Sequence, residues 1–141
     1  MNIAVIIPTF DRRQFLGRAI DSVLSQTRPA HEVFVIDDGS TDGTAPWIKK
    51  EYPIVKLIEQ TNQGVSAARN AGIQQAQSEW IALLDSDDEW FPEKLERQVE
   101  ELHKYPKILF CHTDEIWIRK GVRVNPMKKH RKFGGMIFSK C

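Results

Sequence analysis

Short apolar runs alternate along the chain with longer stretches in which apolar residues recur every three or four positions. The runs are rich in β-branched residues and mostly lack polar alternation, as expected for strands buried on both faces. We predict a strand at each run: residues 3–7, 33–36, 55–58, 80–84 and 108–111.

The stretches between these runs predict helices. In the first of them, Leu16, Ile20 and Val23 share one helical face, and Asp11 with Gln14 resembles a capping box. Three more helices are predicted: one from near residue 44, one over about 65–75, and one from residue 92 to before residue 106. This alternation of strand and helix predicts an α/β fold, with a mostly parallel sheet flanked by helices.

The pattern changes beyond residue 111. Ile116 and Ile118 alternate with polar neighbours, and Lys120-Gly121 is typical of a hairpin turn. Residues 125–135 are basic and lack any period, so we predict a loop there. Because no internal repeat or long linker is visible, we predict a single domain over residues 1–141.

Composition narrows the class of protein. Of 141 residues, 41% are hydrophobic and 28% are charged, and the net charge of +1 gives no global field that would attract nucleic acid. No apolar run approaches the roughly 20 residues of a membrane span, and the N-terminus lacks signal-peptide features. Cys111 and Cys141 have no metal-site or redox-motif spacing. These features favour a cytoplasmic protein with reduced thiols.

The residues that could carry chemistry lie just after the predicted strands. The carboxyl ends of parallel strands share one edge of a sheet, where α/β proteins bind ligands. Four acids lie within five residues after the fourth run, and two carboxylates about 4 Å apart repel by roughly 4 kcal/mol at a dielectric near 20. A Mg²⁺ or Mn²⁺ ion bridging to a nucleoside diphosphate would relieve that repulsion. Arg69 could pair with a phosphate or orient one of the acids.

Four segments, in this order, resemble glycosyltransferase family 2. They read "VIIPTFDRRQFLGRAIDSVLSQT", "VFVIDDGSTDGT", "NQGVSAARNAGI" and "LLDSDDEWFPEKL", and they cover the chain to about residue 104. The resemblance implies the GT-A fold and metal-assisted transfer of a sugar, with inversion, from a nucleotide diphospho-sugar to an acceptor hydroxyl. UDP is the favoured nucleotide, while GDP, TDP and CDP remain open.

The resemblance also implies roles for individual residues. Asp38 is the favoured ligand of the nucleotide base, Asp85 lies near the ribose or the donor sugar, and Asp87 binds the metal, with Asp85 as the second candidate metal ligand. The complete nucleotide-sugar site implied by the resemblance is Pro8, Thr9, Phe10, Asp37, Asp38, Arg69, Asp85, Ser86 and Asp87.

The resemblance divides the domain into a nucleotide-binding core at residues 1–104 and the start of an acceptor-side region at 105–141. In the family the general base lies on a later segment, and Asp114 and Glu115 do not match its motif. We therefore expect the general base to lie outside this chain. The chain resembles a C-terminally truncated enzyme, and we expect it to transfer little or no sugar on its own. The alternative is a nucleotide-sugar-binding fragment without activity.

Several assignments remain open. Asp11 is a helix cap in preference to a ligand, and His112 is either a polar core residue or faces the acceptor. The basic loop at 125–135 is either solvated or contacts a phosphorylated or lipid-linked acceptor at the inner face of the membrane. Phosphatases of the haloacid dehalogenase type and receiver domains carry their acidic pair after the first strand, which disfavours both classes here.

Overall fold

A computed structural model describes residues 1–124 of the chain. These residues fall into two compact units, Met1–Pro106 and the part of Lys107–Cys141 that is described. The predicted basic loop at residues 125–135 and Cys141 lie outside the described residues. Within residues 1–124, none of the helices has the length and apolar character needed to cross a membrane.

The unit Met1–Pro106 is a parallel sheet with helices between successive strands. The sheet order is β3-β2-β1-β4, and each neighbouring pair is parallel. The elements are β1 (Ile3–Thr9), α1 (Arg13–Leu24), β2 (Glu32–Asp37), α2 (Thr44–Glu51), β3 (Lys56–Glu59), α3 (Val65–Gln75), β4 (Trp80–Leu83) and α4 (Lys94–Lys104). The predicted α/β fold with a parallel sheet flanked by helices is confirmed.

Strand β1 lies inside the sheet and is buried along its whole length. Its side chains alternate between two apolar clusters, one on each face of the sheet. Ile3, Val5 and Ile7 pack in the cluster that contains the buried residues of α1 and two of α4, whereas Ala4 and Ile6 pack in the cluster that contains Ala68 of α3. Burial on both faces explains why this run lacks polar alternation.

The start of α1 differs from the prediction. Asp11 has a φ of 48°, and its Oδ1 accepts hydrogen bonds from the backbone N–H and the hydroxyl of Thr41. The predicted capping by Asp11 is therefore wrong, since its carboxylate accepts from Thr41 and not from the first turn of α1. Arg12 is the N-cap, and the Arg13 N–H donates instead to Oδ2 of Asp42 at 3.0 Å.

In the second unit, β5 (Trp117–Arg119) and β6 (Val122–Val124) form an antiparallel hairpin. Lys120 and Gly121 both have positive φ, as a two-residue hairpin turn requires, so the predicted turn is confirmed. The strand predicted at residues 108–111 is wrong. Those residues have no regular secondary structure, and Leu109 is 89% exposed.

Candidate functional site

The polar residues predicted to form a site lie where the strands of the main sheet end. Thr9 is in register with Asp37, and Asp37 is in register with Glu59 on the next strand. The backbone N–H of Asp38 donates to the carbonyl of Thr9 at 2.9 Å, and the Ser40 N–H donates to Oδ1 of Asp37 at 2.9 Å. The ends of β1 and β2 are therefore fixed to each other.

Asp38 is buried and holds the loop that follows β3. Its carboxylate accepts hydrogen bonds from the side-chain amide of Gln60 at 2.7 Å, the N–H of Gln63 at 2.9 Å and the N–H of Gly64 at 2.8 Å. Burial raises the pKa of Asp38, but these three hydrogen bonds outweigh burial and hold the pKa below its usual value. Asp38 is thus a fixed negative charge directly beyond β2.

Two aspartates beyond β4 are each paired with an arginine from a distant segment. Nη2 of Arg69, on α3, lies 2.5 Å from Oδ1 of Asp85, and Nη1 of Arg12 lies 2.7 Å from Oδ2 of Asp87. The Asp85 side chain is 50% exposed, and both members of the Arg12–Asp87 pair are 48% exposed. Exposed pairs of this kind stabilise a fold by only about 0–1 kcal/mol, so both carboxylates remain accessible to a ligand.

Two buried polar atoms at this edge lack a hydrogen-bond partner among the described residues. They are Oγ1 of Thr9, at the end of β1, and Nε of Arg69. A buried donor or acceptor without a partner costs about 1–3 kcal/mol, so each such atom calls for an explanation. Both residues belong to the predicted site, where a polar ligand can supply the partner.

The remaining predicted residues differ in exposure. Pro8 is buried in β1, and Ser86 is buried between the two aspartates. Phe10 is 45% exposed at the same edge, which suits an aromatic ring that stacks on a planar ligand. Three acids of the predicted site thus lie in three separate hydrogen-bonded groups: Asp38 with the loop after β3, Asp85 with Arg69, and Asp87 with Arg12.

The two carboxylates beyond β4 suit a divalent cation best when a bound phosphate supplies further oxygen ligands. Among residues 1–124 there is no group of three or more His, Cys, Asp or Glu side chains arranged to hold a metal. Mg²⁺, however, is commonly bound by one or two carboxylates together with substrate phosphates and water. Asp85 and Asp87 supply two such hard oxygen ligands, so their chemistry fits that kind of site.

A separate pocket of about 570 Å³ lies where the loops after β1 and β2 meet. It is lined by Asp11, Arg13, Gln14, Asp42 and Trp47. The guanidinium of Arg13 lies 5.6 Å from the Trp47 ring, and the oxygens of Asp11 and Asp42 already accept hydrogen bonds. Because the two acids of this pocket are already hydrogen-bonded and its lining omits Asp38, Asp85 and Asp87, the polar edge is the better candidate site.

Sequence reasoning missed the partners of these acids. Arg12 was not singled out, although it precedes the first predicted helix, and neither was Gln60. Gln26 was missed too, although it is buried and bonds to the segment that follows Asp87. Gln26 lies three residues after Val23, where the apolar spacing of α1 would continue just beyond the helix, and a polar residue at that position was the signal that could have identified it.

Comparison with known proteins identifies the family and the fold. The chain is 45% identical over 104 residues to the uncharacterized glycosyltransferase alr2836 of Nostoc sp., which covers 71% of this chain and 32% of that protein. The crystal structure of S. aureus TarS 1-349 in complex with UDP-GlcNAc superposes with a TM-score of 0.67 at 29% identity, covering 75% of this chain and 32% of that one.

A mannosyltransferase, PcManGT from Pyrobaculum calidifontis, was solved in complex with GDP-Man and Mn²⁺. It matches with a TM-score of 0.63 at 28% identity over 72% of this chain and 32% of its own. The chain thus spans about a third of the length of each of these proteins. These neighbours confirm the predicted GT-A fold. Because the family model for glycosyl transferase family 2 matches residues 4–137, nearly the whole chain, the protein belongs to glycosyl transferase family 2.

Proposed function

We propose that this chain forms the donor-binding part of an enzyme that transfers a sugar from a nucleotide diphospho-sugar to an acceptor hydroxyl with inversion. The observation that carries the proposal is that Asp38, Asp85 and Asp87 all lie beyond the carboxyl ends of strands of one parallel sheet, Asp38 after β2 and the two arginine-paired aspartates after β4. Membership of the family and the UDP-GlcNAc complex of the related TarS support a nucleotide-sugar donor, with a UDP-sugar favoured.

In this proposal the nucleotide lies across the ends of β1 and β2. Phe10 stacks on the base, and Asp38 accepts from an N–H of the base. A carboxylate offers about four lone-pair sites, and Asp38 receives three hydrogen bonds from the protein, so it retains capacity for one more donor. Thr9 Oγ1, buried without a partner among the described residues, supplies a further polar contact.

The second part of the proposal concerns the residues beyond β4. Asp85, oriented by Arg69, faces the ribose or the donor sugar, and Asp87 with Asp85 would hold Mg²⁺ or Mn²⁺ on the diphosphate. An ion held there would supply positive charge against the negative charge that grows on the leaving diphosphate. The acceptor hydroxyl attacks the anomeric carbon opposite the leaving group, its proton passes to a carboxylate base, and the bond to the diphosphate breaks. We assign the role of general base to none of the residues 1–124.

A thermal-shift panel of UDP-GlcNAc, UDP-glucose and GDP-mannose, each with Mn²⁺ or with EDTA, tests the donor class. A ligand at a hundredfold excess over its Kd stabilises the fold by about 2.7 kcal/mol, which raises the melting temperature by roughly 10 °C. We expect stabilisation by one nucleotide sugar that depends on Mn²⁺ and is lost in Asp87→Asn but kept in Asp114→Asn. Absence of any shift in the whole panel contradicts the proposal.

The second candidate is a nucleotide-sugar-binding fragment that does not transfer sugar. It is the simpler function for the described residues, which supply candidate donor-binding groups and no residue that we assign as the general base. Hydrolysis or transfer of a radiolabelled donor, measured alongside binding, separates the two functions. Binding without turnover at saturating donor supports the fragment, and turnover supports the enzyme.

A further inference from the structure

We infer that Arg12 is an internal counter-ion of Asp87, which it releases when a divalent cation and a nucleotide diphosphate bind. The inference rests on the proposed function, in which Asp87 is a metal ligand. It starts from a contact that joins segments 75 residues apart: Nη1 of Arg12 lies 2.7 Å from Oδ2 of Asp87. The carboxylate assigned to the metal is therefore already neutralised by a cation of the protein itself.

The exposure of this pair makes it exchangeable. Both side chains are 48% exposed, so water and salt weaken their attraction. A divalent cation on the same carboxylate carries twice the charge of the guanidinium and gains about twice the Coulomb attraction at equal distance. Arg12 can therefore hold Asp87 when the site is empty and still yield it to a metal ion.

The backbone at Arg12 permits this exchange without a change in fold. Arg12 is the N-cap of α1, and its carbonyl accepts hydrogen bonds from the N–H groups of Phe15 at 2.9 Å and Leu16 at 3.1 Å. These bonds fix the backbone, whereas the guanidinium is bonded at the surface. Rotation of the Arg12 side chain alone separates the two charges.

The second arginine of the site has a different role. Arg69 lies within α3, its side chain is 31% exposed, and its Nε is buried. Asp85 is thus held by an arginine anchored in a helix, while Asp87 is held by an arginine at the surface. Arg69 therefore orients Asp85, whereas Arg12 neutralises Asp87 reversibly.

Release of Arg12 links the binding of metal to that of nucleotide. The freed guanidinium is a strong donor for phosphate oxygens, and the nucleotide brings a diphosphate to the same edge. Mn²⁺ alone must displace Arg12 at a cost, whereas Mn²⁺ with UDP gives Arg12 a new partner. Arg12 therefore weakens the binding of Mn²⁺ alone and strengthens the mutual enhancement of Mn²⁺ and UDP.

The test measures free Mn²⁺ by electron paramagnetic resonance during titration of the 141-residue chain, with and without UDP. Without UDP, we expect Arg12→Gln to bind Mn²⁺ about two- to fivefold more tightly than wild type, the range expected for loss of an exposed ion pair. With UDP, the gain in Mn²⁺ affinity should be smaller in Arg12→Gln than in wild type. Arg12→Lys, which keeps the charge, should restore most of the wild-type behaviour.

The matched control is Arg18→Gln, which removes the same charge from the same helix region. Arg18 pairs with Glu89 at 3.1 Å, and that pair is exposed to a similar degree. Arg18→Gln should bind Mn²⁺ as wild type does, and equal tightening in both variants overturns the inference. Unchanged or weaker binding in Arg12→Gln overturns it as well. If Asp87→Asn binds Mn²⁺ as tightly as wild type, the metal role of Asp87 fails, and the inference fails with it.

Discussion

Two carboxylates with lowered pKa values lie at opposite ends of β2, and only one of them lies at the candidate site. Asp38 directly follows the strand, whereas Glu32 is its first residue. The hydrogen bond from Lys56 is the main cause that lowers the pKa of Glu32 to about 2, burial opposes it, and bonds from Ser78 and Gln77 lower it further. A perturbed pKa alone therefore does not mark the site, since structural networks also perturb carboxylates.

Replacing Glu32 with glutamine tests this structural role. The Glu32 carboxylate accepts from the N–H groups of Gln77 and Ser78 at 2.9 and 3.0 Å and ties β2 to the segment before β4. We expect Glu32→Gln to lower the free energy of unfolding at pH 7 by about 1–3 kcal/mol, the cost of weakening bonds to a charged group. Urea unfolding at pH 7 measures this change.

The same residue gives a pH dependence of known sign. The folded-state pKa is about 2, against 4.5 for the unperturbed group, so Glu32 contributes its full stabilisation above about pH 4.5. That contribution is lost as pH falls from 4.5 towards 2. Glu32→Gln should therefore lose less stability than wild type over this range. The control Glu59→Gln, which breaks an exposed pair with Lys49, should change stability by under about 1 kcal/mol, and equal effects of both variants would contradict the assignment.

At the residue scale, the sequence predicted the acids of the site but not their partners. Asp37, Asp38, Asp85 and Asp87 could be placed at one edge because each follows an apolar run. The bond between Arg12 and Asp87 depends on how two loops approach each other across 75 residues. No local periodicity encodes such an approach, so the roles assigned to these residues stay predictions until binding is measured.

At the scale of elements, the turn that directly follows α1 positions the segment after Asp87. The buried side chain of Gln26 accepts from the N–H of Leu95 at 3.0 Å and donates to the carbonyl of Phe91 at 2.8 Å. The N–H of Thr27 also donates to the carbonyl of Pro92 at 2.9 Å. One glutamine thereby satisfies backbone groups at the start of α4 and fixes where the chain turns after the candidate site.

Gln26→Leu should show the cost of losing this bond. The variant keeps the volume of the side chain but leaves the Leu95 N–H and the Phe91 carbonyl without this partner, which should destabilise the fold by about 1–3 kcal/mol. Chemical denaturation measures the change. The control Gln98→Leu alters a glutamine of α4 outside this contact and should shift stability by less than half as much. Equal losses in the two variants would contradict the positioning role of Gln26.

Helix α3 packs against the sheet through a position that has no side chain. A Cβ atom added at Gly72 would lie 2.7 Å from Cγ2 of Ile6 and 3.1 Å from Cδ1 of Ile36, closer than packed atoms allow. Ile6 and Ile36 are both fully buried, so neither can move freely. The same helix carries Arg69, so this close approach also sets the position of the Arg69–Asp85 pair.

Gly72→Ala has two opposing effects on the free energy of unfolding. Alanine improves helix propensity by about 1 kcal/mol, whereas overpacking a buried interface costs about 1–3 kcal/mol. Since the added methyl group would meet fully buried side chains, we expect net destabilisation, together with weaker stabilisation by the nucleotide sugar found in the thermal-shift panel. Gln74→Ala, at an exposed position of the same helix, should be neutral within about 0.5 kcal/mol. Stabilisation by Gly72→Ala would show that α3 can move away from the sheet.

The strands and helices of Met1–Pro106 were predicted, because each has a strong local signal: an apolar run or an amphipathic stripe. The failure at residues 108–111 has a physical reason. Four apolar residues in a row are compatible with a buried strand, but only neighbouring strands can bury them. In the structure Phe110 is 69% exposed, so this run has no such neighbours among the described residues. A short apolar run forms a strand only where neighbouring strands are available to pair with it and bury it.

At the scale of the whole molecule, the unit Met1–Pro106 contains every residue of both apolar clusters and every pairing of the four-stranded sheet. It also contains the candidate nucleotide-sugar site from Pro8 to Asp87. A unit of about 100 residues buries enough apolar surface to fold alone. Stability and donor binding are therefore properties that we assign to this unit.

A chain ending at Pro106 tests that assignment. Because no residue of the two apolar clusters and no pairing of the four-stranded sheet is removed, we expect it to unfold cooperatively, with a melting temperature within about 4–8 °C of the full chain, the shift that about 1 kcal/mol produces in a domain of this size. Mn²⁺-dependent stabilisation by the nucleotide sugar should also be retained. Circular dichroism and the thermal-shift panel measure both properties. A shortened chain that folds but no longer binds the donor would place part of the donor site beyond Pro106, and one that fails to fold would show that the core of the first unit needs the residues that follow.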